Sequence, residues 1–307
     1  MTSPFGKAFV IANPLSGRGK VGRDPSWLEG LLREKNLEYE LRLTEKRRHA
    51  TDLARQALRE GYRFIVAAGG DGTIHEVVNG MMSDNGPLNP EAVLGVLATG
   101  SGSDFIRTFG LPQDPVKGVG HLIGENLFEI DVGKITYTDS SGAMHSEFFP
   151  NIAEAGFGGD VVKHAEKLPR WVGGLRYMLG FWMTLLSSRI TKAKVVMDNR
   201  TYQGPLTNLV VANAQFYGRG MHIAPKAHPA DGIFDVLVQA GNKRDYVIGL
   251  RKVYKGEHLQ MKAVKLFHAR RVEVDADLPL QIEGDGEVLG FTPATFEIVE
   301  NALRLKI

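Results

Sequence analysis

Phe64-Ile65-Val66-Ala67-Ala68-Gly69-Gly70-Asp71-Gly72-Thr73-Ile74-His75-Glu76-Val77-Val78-Asn79-Gly80 is the stretch around which the chain is organised. Phe64 to Ala68 is an apolar run, long enough for one buried strand. Gly69, Gly70 and Gly72 break it, and Thr73 onward reads as a helix start with Val77 and Val78 on the inner face. A strand, a tight glycine turn and a helix N-terminus make an anion site. Glycines let backbone N–H groups approach phosphate, and the helix dipole favours negative charge. Asp71 would repel a bare phosphate, so its place in the loop implies a metal, a ligand hydroxyl or a basic group between the two.

Upstream, Ala8 to Ala12 reads as a short strand, followed by Asn13-Pro14-Leu15-Ser16-Gly17-Arg18-Gly19-Lys20. This segment has the look of a phosphate loop but lacks P-loop spacing; an ordinary strand-to-helix turn is the alternative. Ser26 to Lys35 has helical spacing, Tyr39 to Leu43 alternates like a strand, and Ala50 to Glu60 is again helical. The basic run Lys46-Arg47-Arg48-His49 reads as a solvated helix start, or as a contact for nucleotide phosphate or anionic lipid. Downstream, the strand Ala92 to Leu97 enters a second glycine loop, Ala98-Thr99-Gly100-Ser101-Gly102-Ser103-Asp104-Phe105. Strands alternating with helices predict a parallel, doubly wound sheet with ligands at the carboxyl ends of the strands.

From about Phe128 the pattern changes to short alternating segments: Glu129–Tyr137, Glu147–Ala153, Ala193–Met197, Leu206–Ala212, Phe234–Gln239, Arg271–Val274, Leu280–Glu283, Thr295–Ile298 and Leu303–Ile307. These predict a mainly antiparallel β-sandwich or barrel. Leu168 to Ser188, with Trp171, Tyr177, Met178, Phe181, Trp182 and Met183, reads as an apolar helical segment. It serves either as core, as the wall of an acyl-chain pocket, or as a face that touches a bilayer. Asn151 to Asp160 reads as a strand running into a glycine loop, and Asp231-Gly232 as a turn before a strand. Glu283, Asp285 and Glu287 place three carboxylates in five residues, a pattern suited to Mg2+ binding or to general-base work on a hydroxyl.

At 307 residues the chain suits two domains, expected at 1–127 and 128–307, with the last strand free to pack back onto the first. Hydrophobic content of 43% and charged content of 23% are ordinary for a globular protein. A net charge of +2 gives no drive towards nucleic acid, and the absence of cysteine excludes disulfide and thiolate chemistry. Met1 to Lys7 lacks the apolar core of a signal peptide, and Tyr177 to Ser188 is too short to span a bilayer. A cytoplasmic protein is expected, with peripheral contact at the inner membrane face left open.

The chain resembles the bacterial soluble diacylglycerol-kinase-like lipid kinases, and more distantly the NAD kinase and phosphofructokinase group. Asn13-Pro14 with Gly17, Gly69 to Thr73 with Glu76, Gly100 to Phe105, Asn151 with Gly156-Phe157, Ala224-Pro225 with Asp231-Gly232, and Asp285-Gly286-Glu287 carry the likeness, in order and over nearly the whole chain. The resemblance implies a nucleotide-binding α/β domain followed by a β-rich lipid-acceptor domain. It implies that Asn13, Thr44, Gly69, Gly70, Asp71, Gly72, Thr73 and Ser101 hold ATP, and that Asp104 faces the acceptor. Glu287 falls on the family's proton acceptor, with Asp285 beside it. A structural Mg2+ maps onto Asp231, with His228 and Ile233 offering carbonyls. Where the family reads Pro-x-Gly-Thr-x-Asn-Asp-Phe, this chain has Ala98, Ser101 and Ser103 in place of Pro, Thr and Asn, and His75 stands where Asn is common.

The implied reaction is transfer of the ATP γ-phosphoryl group to a lipid hydroxyl, with diacylglycerol giving phosphatidic acid as the first choice. The cleft between domains is the expected site, and its closure would limit ATP hydrolysis. A membrane-presented lipid is the expected partner, and a homodimer is left open. Alternative readings are an NAD kinase and a catalytically weak nucleotide- or lipid-binding regulator.

Overall fold

A computed structural model describes residues 3–100, 102–169, 172 and 175–307. The expected site residue Ser101 and the expected helical residue Trp171 lie outside the described residues. The chain forms two units, Met1–Val132 with Val299–Ile307, and Gly133–Ile298. The division falls five residues beyond the expected boundary, inside a strand that runs from one unit into the other.

In the first unit the order is β1 (Ala8–Ala12), α1 (Ser16–Arg23), α2 (Pro25–Glu34), β2 (Tyr39–Leu43), α3 (His49–Arg59), β3 (Phe64–Gly69) and α4 (Asp71–Met81). A small ribbon, β4 (Met82–Ser83) with β5 (Gly86–Pro87), leads to β6 (Val93–Ala98), α5 (Asp104–Arg107) and α6 (Pro115–Gly118). β1, β3 and β6 are buried along their whole length, as their unbroken apolar sequence requires of strands covered on both faces. The sheet order is β2-β1-β3-β6, all parallel. β1 passes its chain to β2 on one side, whereas β3 passes it to β6 on the other. The carboxyl ends of β1 and β3 therefore form the topological switch point, where ligands bind in such sheets.

The helices follow from their caps and apolar stripes. Asp24 accepts the Trp27 amide, Pro25 opens α2, and Leu28, Leu31 and Leu32 are buried. α3 buries Ala50, Leu53, Ala54 and Ala57, a stripe of mostly small side chains that brings it close to Gly80 of α4. α1 starts at Ser16, so most of the expected loop Asn13 to Lys20 is helix; Pro14, Gly17 and Gly19 hid its periodicity.

The second unit contains β7 (Leu127–Thr138, which begins in the first unit), β8 (Met144–Phe149), β9 (Ile152–Gly156), α7 (Phe157–Glu166), α8 (Leu175–Ser187), β10 (Thr191–Met197), β11 (Arg200–Leu206) and β12 (Asn208–Ala212). It continues through β13 (Phe216–Tyr217), β14 (Met221–His222), β15 (Phe234–Gln239), α9 (Lys243–Lys252), β16 (Val264–Ala269), β17 (Arg271–Ala276), β18 (Gln281–Gly284) and β19 (Glu287–Lys306). Its strands pair antiparallel, in the runs β16-β15-β12-β9-β18-β19 and β11-β10-β17-β19. Val195, Val272 and Phe296 from one run share a core with Ala153, Leu209, Val211, Val236 and Ile282 from the other. This is the expected sandwich.

Three details differ from expectation. Thr295–Ile298 and Leu303–Ile307 are parts of one strand, β19, which bends at Asn301 (φ 49°) and pairs with β6 through Arg304 and Leu305. Asp131 accepts the Asn301 amide at that bend. The segment after Gly156 is the helix α7 rather than a loop, and Leu168 and Pro169 are not helical, with α8 described over Leu175–Ser187.

Gly80 tests the packing of α3 on α4. Helix propensity alone favours Gly→Ala by about 1 kcal/mol. A Cβ on Gly80 would lie 2.5 Å from the Thr51 carbonyl oxygen and 2.7 Å from Ala54 Cβ. Overpacking of this kind costs about 1–3 kcal/mol, and a backbone oxygen cannot step aside. Gly80→Ala is therefore expected to lower the urea midpoint, and a higher midpoint would show that the helices separate freely.

Candidate functional site

The residues expected to hold nucleotide, Ser101 aside, gather at the carboxyl ends of the parallel strands. Asn13 follows β1; its amide donates to Ala68 O at 3.1 Å, and its Oδ1 accepts the Leu15 amide at 2.9 Å. Thr44 follows β2, with its amide on Ala12 O. Gly69 to Thr73 join β3 to α4. Gly69 O accepts the amides of both Thr99 and Gly100 at 3.0 Å, so the two glycine loops are stitched together by backbone. A Cβ on Gly100 would fall 2.5 Å from Gly70 Cα, and one on Gly69 would fall 2.2 Å from Thr73 Oγ1. Ser16 of α1 joins the group through a 2.7 Å hydrogen bond to Thr99 Oγ1. The first turn of an eleven-residue helix, α4, thus opens beside loops that present little but backbone.

Asp71 joins the first glycine loop to the second. Its two carboxylate oxygens accept the amides of Asp104 and Phe105, each at 3.1 Å. The charge that would repel phosphate is thereby turned onto the start of α5, and it fixes the second loop to the first. Asp104 is buried and pairs with Arg107 Nε at 3.1 Å. Ser103 sits at φ 53°, with a buried Oγ that has no hydrogen-bond partner. The asparagine expected there tolerates that left-handed conformation better than serine.

Glu76 belongs to the same motif, and its role appears only in the fold. Its carboxylate accepts the amides of Arg48 (2.9 Å) and Ala50 (3.1 Å), and its carbonyl accepts Thr51 Oγ1. It therefore caps α3 and holds the basic segment Lys46–His49 beside α4. Lys20 lies with its ammonium 3.8 Å from the Trp27 ring centroid, a cation–π contact.

In the second unit Asp285-Gly286 is a two-residue turn between β18 and β19. Positive φ at both positions (50° and 86°) makes it the primed type favoured by Asp-Gly. Asp285 Oδ1 accepts the amides of Asn151 (3.2 Å) and Ile152 (3.0 Å), and its own amide donates to Ile152 O. Glu283 is buried, and its Oε2 accepts the Gly286 amide at 2.7 Å. Two of the three clustered carboxylates thus shape the hairpin. Glu287, partly exposed, opens β19 beside them.

The expected cation site was read from Asp231, His228 and Ile233. Asp231 Oδ1 accepts the Ile233 amide, and His228 O accepts the amides of Ala230 and Asp231. Asp235 nearby has a buried Oδ2 with no hydrogen-bond partner, and burial raises its carboxyl above the ordinary range. An all-oxygen set of this kind suits a hard cation that keeps several waters. Among the described residues no three His, Asp or Glu side chains are grouped to hold a metal.

One buried acid escaped the sequence reading. Glu154 on β9 is opposite Glu283 on β18, and its Oε1 accepts Asn208 Nδ2 at 3.0 Å. Asn208 Oδ1 in turn accepts the Gly158 amide at the start of α7. Burial pushes the Glu154 carboxyl up to about 7, against the opposing pull of hydrogen bonds from Asn208 and Tyr217. The folded state therefore holds this proton more tightly than the unfolded chain, whose value is the ordinary 4.5. The associated stability is fully present below pH 4.5 and is lost as pH rises through about 7. Glu154→Gln is expected to gain on the wild type above pH 7 by on the order of 2 kcal/mol, with no such gain below pH 4.5. Urea unfolding at the two ends of that range measures it, and a pH-independent difference would refute the assignment.

Residues 7–135 match the diacylglycerol kinase catalytic domain, and residues 151–307 match the YegS C-terminal NAD kinase beta sandwich-like domain. A diacylglycerol kinase of Bacillus subtilis (strain 168) is 29% identical over 293 residues, covering 94% of this chain and 92% of its own. One from Staphylococcus carnosus (strain TM300) is 28% identical over 292 residues, covering 94% and 91%. The crystal structure of a diacylglycerol kinase from Bacillus anthracis str. Sterne has the same fold, with a TM-score of 0.71 at 18% identity over 99% of this chain and 97% of that one. With a catalytic domain followed by a β-sandwich-like domain, as the hairpin and the glycine loops had suggested, the chain belongs to the diacylglycerol kinase family of phosphotransferases.

Proposed function

We propose that this kinase transfers the γ-phosphoryl group of ATP to a lipid hydroxyl, with diacylglycerol as the first acceptor to test. The observation that carries the reading is the backbone-on-backbone pair of glycine loops at the switch point of the parallel sheet. Phosphoryl transfer needs positioning and charge stabilisation more than covalent chemistry. Asn13, Thr44 and Gly69 to Thr73 supply the positioning, through amides and the start of α4. Glu287 takes the proton of the acceptor hydroxyl, and Asp285 positions the turn that carries it. Asp104 fixes the acceptor side of the second loop. Asp231, with the carbonyls of His228 and Ile233, would hold Mg2+ and so steady the second unit, and Mg2+ carried by the nucleotide would offset phosphate charge. Radiolabelled ATP tested against diacylglycerol, sphingosine, ceramide, phosphatidylglycerol and NAD separates this reading from an NAD kinase. Turnover of any acceptor separates it from a silent binding protein.

Three variants probe the parts. A Cβ on Gly70 meets nothing nearer than 3.5 Å, so the fold accepts a side chain there. Gly70→Val is then expected to abolish calorimetric ATP binding while the unfolding midpoint is kept; unchanged affinity would remove this loop from the site. Glu287→Gln is expected to cut kcat by about 10²–10⁴-fold with ATP affinity retained, whereas near-full turnover would exclude it as the base. Asp285→Asn, made alongside, is expected to lower both kcat and thermal stability, because its carboxylate anchors the hairpin.

Asp231→Ala addresses the cation. Wild type is expected to melt at a higher temperature in added Mg2+ without nucleotide, and the variant to lose that increment. A wild type indifferent to Mg2+ would remove this site from the account.

A further inference from the structure

Glu154 lies beside the turn that carries Glu287. β9 and β18 are antiparallel neighbours, with Ala153, Ala155 and Ile282 turned into the sandwich core. Side chains alternate along a strand, so Glu154 and Glu283 face the other way, side by side on the face over which α7 packs. Residues directly opposed on such strands have Cβ atoms about 5 Å apart. Both side chains are buried, so two charges here would meet with little water between them. A Cβ on Gly158 of α7 would overlap Glu154 Oε2, so the helix passes close over this carboxyl.

The two acids hold different segments. Glu283 Oε2 accepts the Gly286 amide across the turn at 2.7 Å, and Glu287 follows in register with Gly284. Glu154 Oε1 accepts Asn208 Nδ2 of β12 at 3.0 Å, and Tyr217 of β13 donates its hydroxyl to the same carboxyl. Tyr217 also feels the Glu283 charge, which places it near both acids. From α9, Tyr246 is the other titratable group acting with Glu154. Burial and the Glu154 charge raise both hydroxyls well above their ordinary value, so neither loses its proton near neutral pH. Asp160 of α7 is drawn to Lys163 and His164 instead.

A glutamine at 154 would keep the bond to Asn208 without the cost of a buried acid. What an acid adds is a proton, and burial moves its release up to about 7. We propose that Glu154 is a positioning residue for the hairpin that carries Glu287. With its proton, Glu154 sits uncharged against Glu283, and Glu283 keeps the Gly286 amide. When the proton leaves to water, two buried like charges face each other, Glu283 turns away and the Asp285-Gly286 turn loosens. Ile152 and Asp285 still join β9 to the turn, so the hairpin loosens without unfolding. The effect on turnover rests on the reading of Glu287 as the base; the coupling between the acids and the turn does not.

The test is the pH profile of kcat at saturating ATP and acceptor, with the Gly286 amide followed by NMR in the full chain without ligands. Wild-type kcat is expected to fall about tenfold from pH 6 to pH 8, as for one group with a midpoint near 7 whose protonated form is active. Glu287 as base acts in the opposite sense, because it has to be ionised. Glu154→Gln is neutral at every pH, so the fall is expected to vanish, with KM for ATP unchanged. Tyr217→Phe removes a donor that favours the ionised form, so the fall should move to higher pH. The Gly286 resonance should shift with a midpoint near 7 in wild type and hold its place in the glutamine variant. A kcat that falls alike in wild type and Glu154→Gln would overturn the proposal, as would a flat profile in an active wild type or a Gly286 resonance that titrates alike in both proteins. A glutamine variant that alters only the unfolding midpoint would assign Glu154 to stability alone. If the Gly286 resonance titrates through Glu154 and no acceptor is phosphorylated, the coupling stands and the kinase reading is removed.

Discussion

The contact between Gly70 and Gly100 governs the first unit. A methyl group on Gly100 would lie 2.5 Å from Gly70 Cα and 2.8 Å from its nitrogen, so the two loops meet because Gly100 lacks a side chain. That approach lets Gly69 O take the amides of Thr99 and Gly100, which draws the ends of β3 and β6 together. Ser16 reaches Thr99 from α1, so three connections leave the sheet at one place. Amides and a helix start therefore meet at the switch point, the kind of groups that suit an anion. Side chains set the distances between these loops, and the backbone forms their surface.

Carboxylates are used in this fold chiefly as acceptors for loop amides. Asp71 fixes Asp104 and Phe105, Glu76 fixes Arg48 and Ala50, Asp285 fixes Asn151 and Ile152, and Glu283 fixes Gly286. An ionised acceptor makes a stronger hydrogen bond than a neutral one. Its direction also holds two amides of a neighbouring segment at once. This gives the acid inside the first glycine loop a backbone partner in the second. It also separates the acids of the hairpin by role: Asp285 and Glu283 are engaged by backbone, and Glu287 lies beyond the turn they build. Glu154 is the costly member of the set, an acid deep in the second unit, and burial raises its carboxyl accordingly.

Periodicity exposed the architecture because the parallel strands are covered on both faces and therefore read as unbroken apolar runs at Ala8–Ala12, Phe64–Ala68 and Ala92–Leu97. It failed where a local residue masked a regular element. Gly17 and Gly19 disguised α1, and Asn301 in a left-handed conformation divided β19 into two apparent strands. α9 buries none of its residues and so carried no apolar stripe to recognise. The glycine loops after β3 and β6 were legible as breaks after buried strands, whereas the similar cluster after β9 opens a helix. The partner of Asp71 was not, because the amides it holds come from residues thirty-three and thirty-four positions later in the chain. Composition could not decide whether the segment around Trp182 was core or surface, because both readings require the same apolar residues; only exposure in the folded chain distinguishes them.

With 37 basic and 35 acidic side chains, the molecule has almost no net charge. Among the described residues no helix is long and apolar enough to cross a membrane. The stretch from Lys167 to Met197 has six cations and no acid, yet Lys194 of β10 is in register with Asp275 of β17. The fold therefore offsets across strands part of an excess that looks one-sided along the sequence.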